Sequence, residues 1–228
     1  MADESLENTS FGVRALRWLF YGVLVRALVL IALGVTVRNR QRLPVEGPAI
    51  IAANHNSHLD TMVLMSLFPL SLLPKLRPVA AADYFCKTPK RAWFSEKILG
   101  IIPVARRKEG GANPLLGCER ALQRGEILIL FPEGSRGEPE ALTAFKRGIG
   151  HLAKADTRVP VVPVFMHGLG KALPKGSAIL VPFNCTVSVG APLHGETSHD
   201  ETSHSAFVEK LEAEMKALAA NEKLPAWS

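Results

Sequence analysis

A histidine and an aspartate, His55 and Asp60, share the string Asn54-His55-Asn56-Ser57-His58-Leu59-Asp60. A base and a carboxylate at that spacing can work as a pair. The carboxylate fixes the imidazole, and the imidazole takes a proton from a hydroxyl. Further along, Phe131-Pro132-Glu133-Gly134-Ser135-Arg136 puts a second carboxylate, a glycine and a guanidinium at the end of an apolar run. A guanidinium on a glycine-containing loop suits bidentate binding of a phosphate monoester.

The elements around the first string decide whether its two residues can meet. Inside one regular helix a separation of five residues is about 140° of rotation, which puts them on different faces. They meet only if a helix starts between them, and Ser57 is a suitable N-cap that places Asp60 at the third helical position. Pro48-Ala49-Ile50-Ile51-Ala52-Ala53 reads as a short buried strand upstream. His55 then falls on a strand-to-helix turn at a carboxyl strand end, where open α/β sheets place their ligands. From the first turn Asp60 can accept the Nδ1–H of His55 and leave Nε2 free. The plain alternative is a helix cap beside two histidines with no chemistry, since capping boxes are common. His58 is expected on the surface of the first turn or beside the pair. Cys86, Cys118 and Cys185 are scattered and no His-Glu-x-x-His occurs, so no metal is expected.

The second string follows Gly125-Glu126-Ile127-Leu128-Ile129-Leu130-Phe131, a turn and then a continuous apolar run, as in a strand buried on both faces. Pro132 ends it, having no N–H for the ladder. Gly134-Ser135-Arg136-Gly137 has the look of a nucleophile elbow. That motif needs a glycine two residues before the serine, and Glu133 stands there. Arg106, Arg107 and Lys108 after the strand Ile101–Ala105, and Lys146 with Arg147, are further cations following apolar runs. Singly each reads as a solvated charge; at the ends of parallel strands they converge on one edge.

Four blocks in order, over roughly residues 48 to 190, resemble the glycerophospholipid acyltransferases, the family of bacterial 1-acylglycerol-3-phosphate acyltransferases. They are Asn54 to Asp60, Gly100 to Arg106, Phe131 to Arg136 with Ser135 in place of threonine, and Val159-Pro160-Val161-Val162-Pro163-Val164. Two departures stand out: Gly137 follows Arg136 in place of a hydroxyl residue, and Ala105 precedes Arg106 in place of a polar one. The resemblance implies acyl transfer from a thioester, acyl-CoA or acyl carrier protein, to a lysolipid hydroxyl, with no cofactor. It implies His55 as general base oriented by Asp60, and Arg106, Glu133, Gly134, Ser135, Arg136 and Lys146 around the acceptor. The product would be phosphatidic acid. Another lysolipid such as lyso-ornithine lipid, a non-catalytic lipid-binding protein of the same fold, and a lipid hydrolase are the competing readings.

At 228 residues and 47% hydrophobic content the chain can bury one good core. Three cysteines without close spacing predict a reducing compartment and no disulfide framework. A net charge of +6 favours an anionic partner. No aromatic-basic interleaving or known nucleic-acid module appears, so a lipid surface is expected, at the cytoplasmic face of the inner (plasma) membrane. Trp18 to Val37 is almost wholly apolar, interrupted by Arg26 and Thr36 and flanked by arginines. The acidic start argues against a signal peptide, and Arg26 against a simple span. The segment is therefore expected to lie in the leaflet interface, with a buried core helix as the alternative. Residues 1–43 form this N-terminal membrane-associated helical part and 44–228 the α/β acyltransferase domain.

Along the rest of the chain strands and helices alternate. Strands are expected at Pro78–Ala82, Ile101–Ala105, Ile127–Phe131, Val159–Met166, Ile179–Pro182 and Cys185–Val189. Helices are expected from Ser57, at Thr88–Leu99, Pro114–Arg124 and Ala144–Ala155, and at Ser205–Ala220 with Phe207, Leu211, Met215 and Leu218 on one side. Met62–Leu73 reads as the core face of the helix from Ser57, and His194–Ser205 as a polar loop. The pattern predicts an α/β fold with a mixed, largely parallel sheet flanked by helices.

Overall fold

The computed structural model describes residues 6, 9–85, 88–105, 113–138, 141–173, 181, 183–196 and 202–222. Among the described residues seven strands form one sheet: β1 (Leu33–Arg38), β2 (Ala49–Ala53), β3 (Leu76–Ala81), β4 (Ile102–Val104), β5 (Ile127–Leu130), β6 (Val161–His167) and β7 (Phe183–Val189), in the order β1-β7-β6-β2-β5-β3-β4. Pairing is parallel except between β6 and β7. The carboxyl ends of β2, β3, β4, β5 and β6 therefore share one edge, and the loops carrying both motifs leave from it.

Alternation along the strands builds two cores. Ala49, Ile51, Ala53, Ile127 and Ile129 point to one face, and Ile50, Ala52, Leu128 and Leu130 to the other, all of them buried. The first face is covered by α3 (Asp60–Ser66), through Val63, Leu64 and Met65, and by the N-terminal helices. The second is covered by α6 (Leu116–Gln123), α7 (Gly148–Ala155) and α9 (Thr202–Ala220). Phe207, Leu211 and Met215 of α9 are buried there with Leu218 packed beside them, as the periodicity predicts. A strand between two helical layers must be apolar on both sides, which explains the uninterrupted Ile127–Leu130 run.

Several expected boundaries shift. The helix expected from Ala144 starts at Gly148: 141–146 has no regular structure, and Phe145 N donates to Glu212 Oε1 of α9 at 2.7 Å. The helix at Thr88 forms as drawn: the Thr88 side chain accepts from Arg91 N, Pro89 opens α5 (Pro89–Trp93), and a π-helical turn carries on to Leu99. After α3, a 3₁₀ segment from Leu70 to Lys75 follows, and Leu67, Phe68 and Leu73 are buried. The short helices α4 (Ala82–Phe85) and α8 (Leu169–Ala172) follow β3 and β6. Residues 179, 180 and 182 of the expected strand Ile179–Pro182, and 197–201 of the expected loop, lie outside the described residues.

The N-terminal segment differs most. α1 (Phe11–Leu19), a π-helical stretch Phe20–Val25 and α2 (Arg26–Ala32) make a helical run that stops short of Val37. Leu33–Arg38 is instead the edge strand β1, on the N-terminal side of residue 43, so the sheet draws on both parts of the chain. The reason is local: Gly34 weakens a helix, and Val35, Thr36 and Val37 are β-branched. Among the described residues no helix is long and apolar enough to cross a membrane. Tyr21, Val25, Val29 and Leu33 pack inward at four-residue intervals, while Phe11, Trp18, Leu19, Leu24 and Ile31 are exposed. Arg26, which interrupts the apolar segment, and Arg17, which flanks it, both find carbonyls: Arg26 donates to Phe68 O at 2.9 Å, and buried Arg17 to Leu73 O at 2.8 Å and Leu76 O at 3.2 Å. Burial lowers the Arg17 pKa to about 10. Arg17 also crosses Gly100, whose φ of +78° and close guanidinium leave no room for a side chain.

Candidate active site

β2 ends at Ala53, and Asn54 clips that end to β6. Its Nδ2 donates to Met166 O at 2.9 Å, and Met166 N donates to its Oδ1 at 2.7 Å. The chain then turns through His55, Asn56 and Ser57 before α3. Asp60, fully buried, reaches back across this turn. Its Oδ2 accepts from Asn56 N at 2.6 Å and Ser57 N at 2.8 Å, and lies 2.8 Å from His55 Nδ1. Ser57 Oγ accepts from Leu59 N at 3.3 Å and not from Asp60 N, so of the expected capping box only the bond from Ser57 N to Asp60 forms; the regular helix begins at Asp60, with Leu59 as its N-cap. Three donors on one carboxylate oxygen offset the cost of burying the charge. With Nδ1–H held by Asp60, the Nε2 lone pair of His55 is the acceptor. It has no hydrogen-bond partner among the described residues.

The loop after β5 encloses His55 from the other side. The imidazole stacks on Phe131 with ring centroids 4.1 Å apart and 19° between planes. His55 N donates to Glu133 Oε1 at 2.9 Å, and Gly137 N donates to His55 O at 3.1 Å. Glu133 Oε2 accepts from Thr143 N at 3.2 Å and Thr143 Oγ1 at 2.7 Å. Glu133 is thus buried, with both oxygens used by the protein. The sequence reading sets it beside the acceptor; the structure puts it behind the histidine. Phe131 and Thr143 are absent from that reading. Phe131 reads there only as a strand end, and nothing marks Thr143 as the carboxylate's partner.

The cations gather at the rim. Arg136 Nη1 meets His58 Nε2, and Lys146 lies across Gly134, where φ is +73° and an added Cβ would stand 2.5 Å from Lys146 Nζ. Lys146 N donates to Pro132 O at 2.8 Å, which fixes the base of that side chain. Ser135 is exposed on the same loop. Arg106, with Arg107 and Lys108, lies outside the described residues; β4 just before it ends on the same sheet edge. Burial, then Arg136 and His55, lower the pKa of His58 against the opposing pull of Asp60. Ser57 Oγ donates to Leu173 O at 3.1 Å, so the one serine inside the turn is committed to structure. No cluster of three or more His, Cys, Asp or Glu suited to a metal occurs among the described residues.

A tautomer-fixed imidazole with a free Nε2, next to a cationic rim, can deprotonate a hydroxyl on an anionic molecule. The chain is similar to known acyltransferases. The family model described as Acyltransferase matches residues 34–167. A chloroplastic 1-acyl-sn-glycerol-3-phosphate acyltransferase of Arabidopsis thaliana is 32% identical over 164 residues, 71% of this chain and 44% of that protein. The 1-acyl-sn-glycerol-3-phosphate acyltransferase alpha of Mus musculus is 28% identical over 181 residues, 76% of this chain and 60% of that protein. The chain spans about half the length of these curated relatives. The crystal structure of the 1-acyl-sn-glycerophosphate (LPA) acyltransferase PlsC from Thermotoga maritima superposes with a TM-score of 0.72. It covers 95% of this chain and 83% of its own at 20% identity, a likeness of fold.

Proposed function

The chain belongs to the acyltransferase family whose model spans residues 34–167, and from that premise we propose that it transfers a fatty acyl group from a thioester to the free hydroxyl of 1-acylglycerol-3-phosphate, giving phosphatidic acid. The observation that carries this reading is the 2.8 Å contact of His55 Nδ1 with Asp60. It leaves Nε2 unpartnered at the sheet edge where Arg136 and Lys146 stand. His55 Nε2 takes the proton of the acceptor hydroxyl as its oxygen attacks the thioester carbonyl. The tetrahedral intermediate collapses, the C–S bond breaks, and the imidazolium returns the proton to the thiolate. Asp60 holds the tautomer and stabilises the imidazolium. Arg136, Lys146 and Arg106 hold the phosphate, with Gly134 and Ser135 shaping its seat, while Glu133 keeps the His55 backbone in place. General-base help of this kind is worth on the order of 10²–10⁴ in rate.

The donor is acyl-CoA or acyl carrier protein. The enzyme works at the cytoplasmic face of the inner (plasma) membrane, and the exposed Phe11, Trp18, Leu19, Leu24 and Ile31 rest in the headgroup region. The test is product formation: purified protein, palmitoyl-CoA or palmitoyl-acyl carrier protein, and lysophosphatidic acid should give phosphatidic acid. Lyso-ornithine lipid is the control for the competing acceptor, and its preference over lysophosphatidic acid would reassign the substrate.

A further inference from the structure

His58 lies between Ser57 and Asp60 in the first motif, and no step above uses it. Its surroundings are specific. Arg136 enters from the loop after β5 and brings Nη1 onto His58 Nε2. Among the described residues His58 is the one hydrogen-bond partner of that guanidinium. The rest of the loop is anchored elsewhere: Glu133 to His55 and Thr143, Gly137 to His55, and Lys146 across Gly134. The Arg136 side chain is long and rim-placed, and a single acceptor decides where its planar fork points.

We propose that His58 is a positioning residue, its Nε2 accepting from Arg136 Nη1 and thereby aiming the guanidinium at the anionic headgroup of the acceptor. This rests on the reading that Arg136 binds that headgroup. Only a neutral imidazole can accept this bond. The groups facing His58 are Arg136 from the loop, and His55 and Asp60 from its own turn. Burial and the neighbouring Arg136 favour the neutral ring, and Asp60 is occupied by His55 and two main-chain N–H groups. Acidification that protonates His58 removes the acceptor and sets two cations side by side, so Arg136 turns away.

The experiment measures kcat and KM for lysophosphatidic acid in wild type, His58→Ala, His58→Gln, Arg136→Ala and the double variant His58→Ala/Arg136→Ala. Thermal unfolding of each variant checks the fold, and equilibrium binding of radiolabelled lysophosphatidic acid supplies affinity for any variant too slow to assay. A charge-assisted bond of this kind predicts a KM about 5- to 10-fold higher in His58→Ala, with kcat unchanged. His58→Gln, whose amide oxygen can accept the same bond, should return KM towards wild type. In the Arg136→Ala background His58→Ala should add nothing. Wild-type KM should also rise on acidification more steeply than that of His58→Gln, which has no ring to protonate. If Arg136→Ala raises KM but His58→Ala does not, the positioning role is wrong and the headgroup reading stands. A Gln variant as poor as Ala, or an additive double variant, also overturns it. If Arg136→Ala leaves KM and binding unchanged, the headgroup reading itself fails, and the role of His58 with it.

Discussion

Asp60 Oδ2 lies 2.8 Å from His55 Nδ1 and at the same oxygen accepts the main-chain N–H groups of Asn56 and Ser57. One buried carboxylate therefore shapes the turn and sets the tautomer of the histidine on it. Structure and chemistry cannot be separated at this residue. Asp60→Asn keeps the volume but loses the charge that balances an imidazolium. We expect kcat to fall about 10²–10⁴-fold, with acceptor KM little changed. The loss of charge-assisted bonds should lower stability by about 1–3 kcal/mol. Steady-state kinetics and denaturant unfolding check both.

Glu133 is the second such residue, and its prediction separates positioning from binding. Truncation to Ala leaves the part-buried His55 N–H and Thr143 without their acceptor. An unsatisfied buried group costs about 1–3 kcal/mol. Glu133→Ala should therefore lower the midpoint of unfolding and kcat together. Glu133→Gln, which keeps one acceptor oxygen, should lose less of each. A change confined to acceptor KM would instead put the carboxylate in contact with substrate.

Gly134 has φ of +73° and carries Lys146 across it. An alanine there meets the left-handed penalty of roughly 1–2 kcal/mol and displaces the Lys146 ammonium. Gly134→Ala should raise acceptor KM with kcat near wild type, and Lys146→Ala should mask most of that effect. The double-mutant cycle in KM is the measurement.

The N-terminal run offers two faces with opposite expectations. Tyr21 and Val25 are almost fully buried, whereas Phe11, Trp18, Leu24 and Ile31 are more than half exposed. Val25→Ala removes methyl groups from the core and should cost about 1–3 kcal/mol. Trp18→Ser with Leu24→Ser should leave the unfolding midpoint in place and weaken sedimentation with anionic vesicles. Equal vesicle binding by the double variant and wild type would move membrane contact elsewhere on the protein.

What the sequence made legible follows from range. The His55–Asp60 pair could be read because its two residues, the N-cap and the preceding strand are all contiguous. The buried strands were equally plain, since Ile127–Leu130 can be apolar throughout only between two layers. β1 was hidden because Leu33–Arg38 continues an apolar run, and its partner β7 lies 150 residues away. The irregular stretch before Gly148 was hidden too, because Phe145 N bonds to Glu212 of α9, a partner no local pattern predicts. The partners of Glu133 were hidden for the same reason. Its motif shows a carboxylate in a loop, but its use depends on Thr143 and on the main chain of His55.

The most direct test of the account is thiol release from palmitoyl-CoA, with and without lysophosphatidic acid, in wild type and His55→Ala. Release in wild type should require the acceptor and should fall about 10²–10⁴-fold in the variant, whose unfolding midpoint should stay close to wild type. Acceptor-dependent release at the wild-type rate in His55→Ala would contradict the central claim that this imidazole is the base.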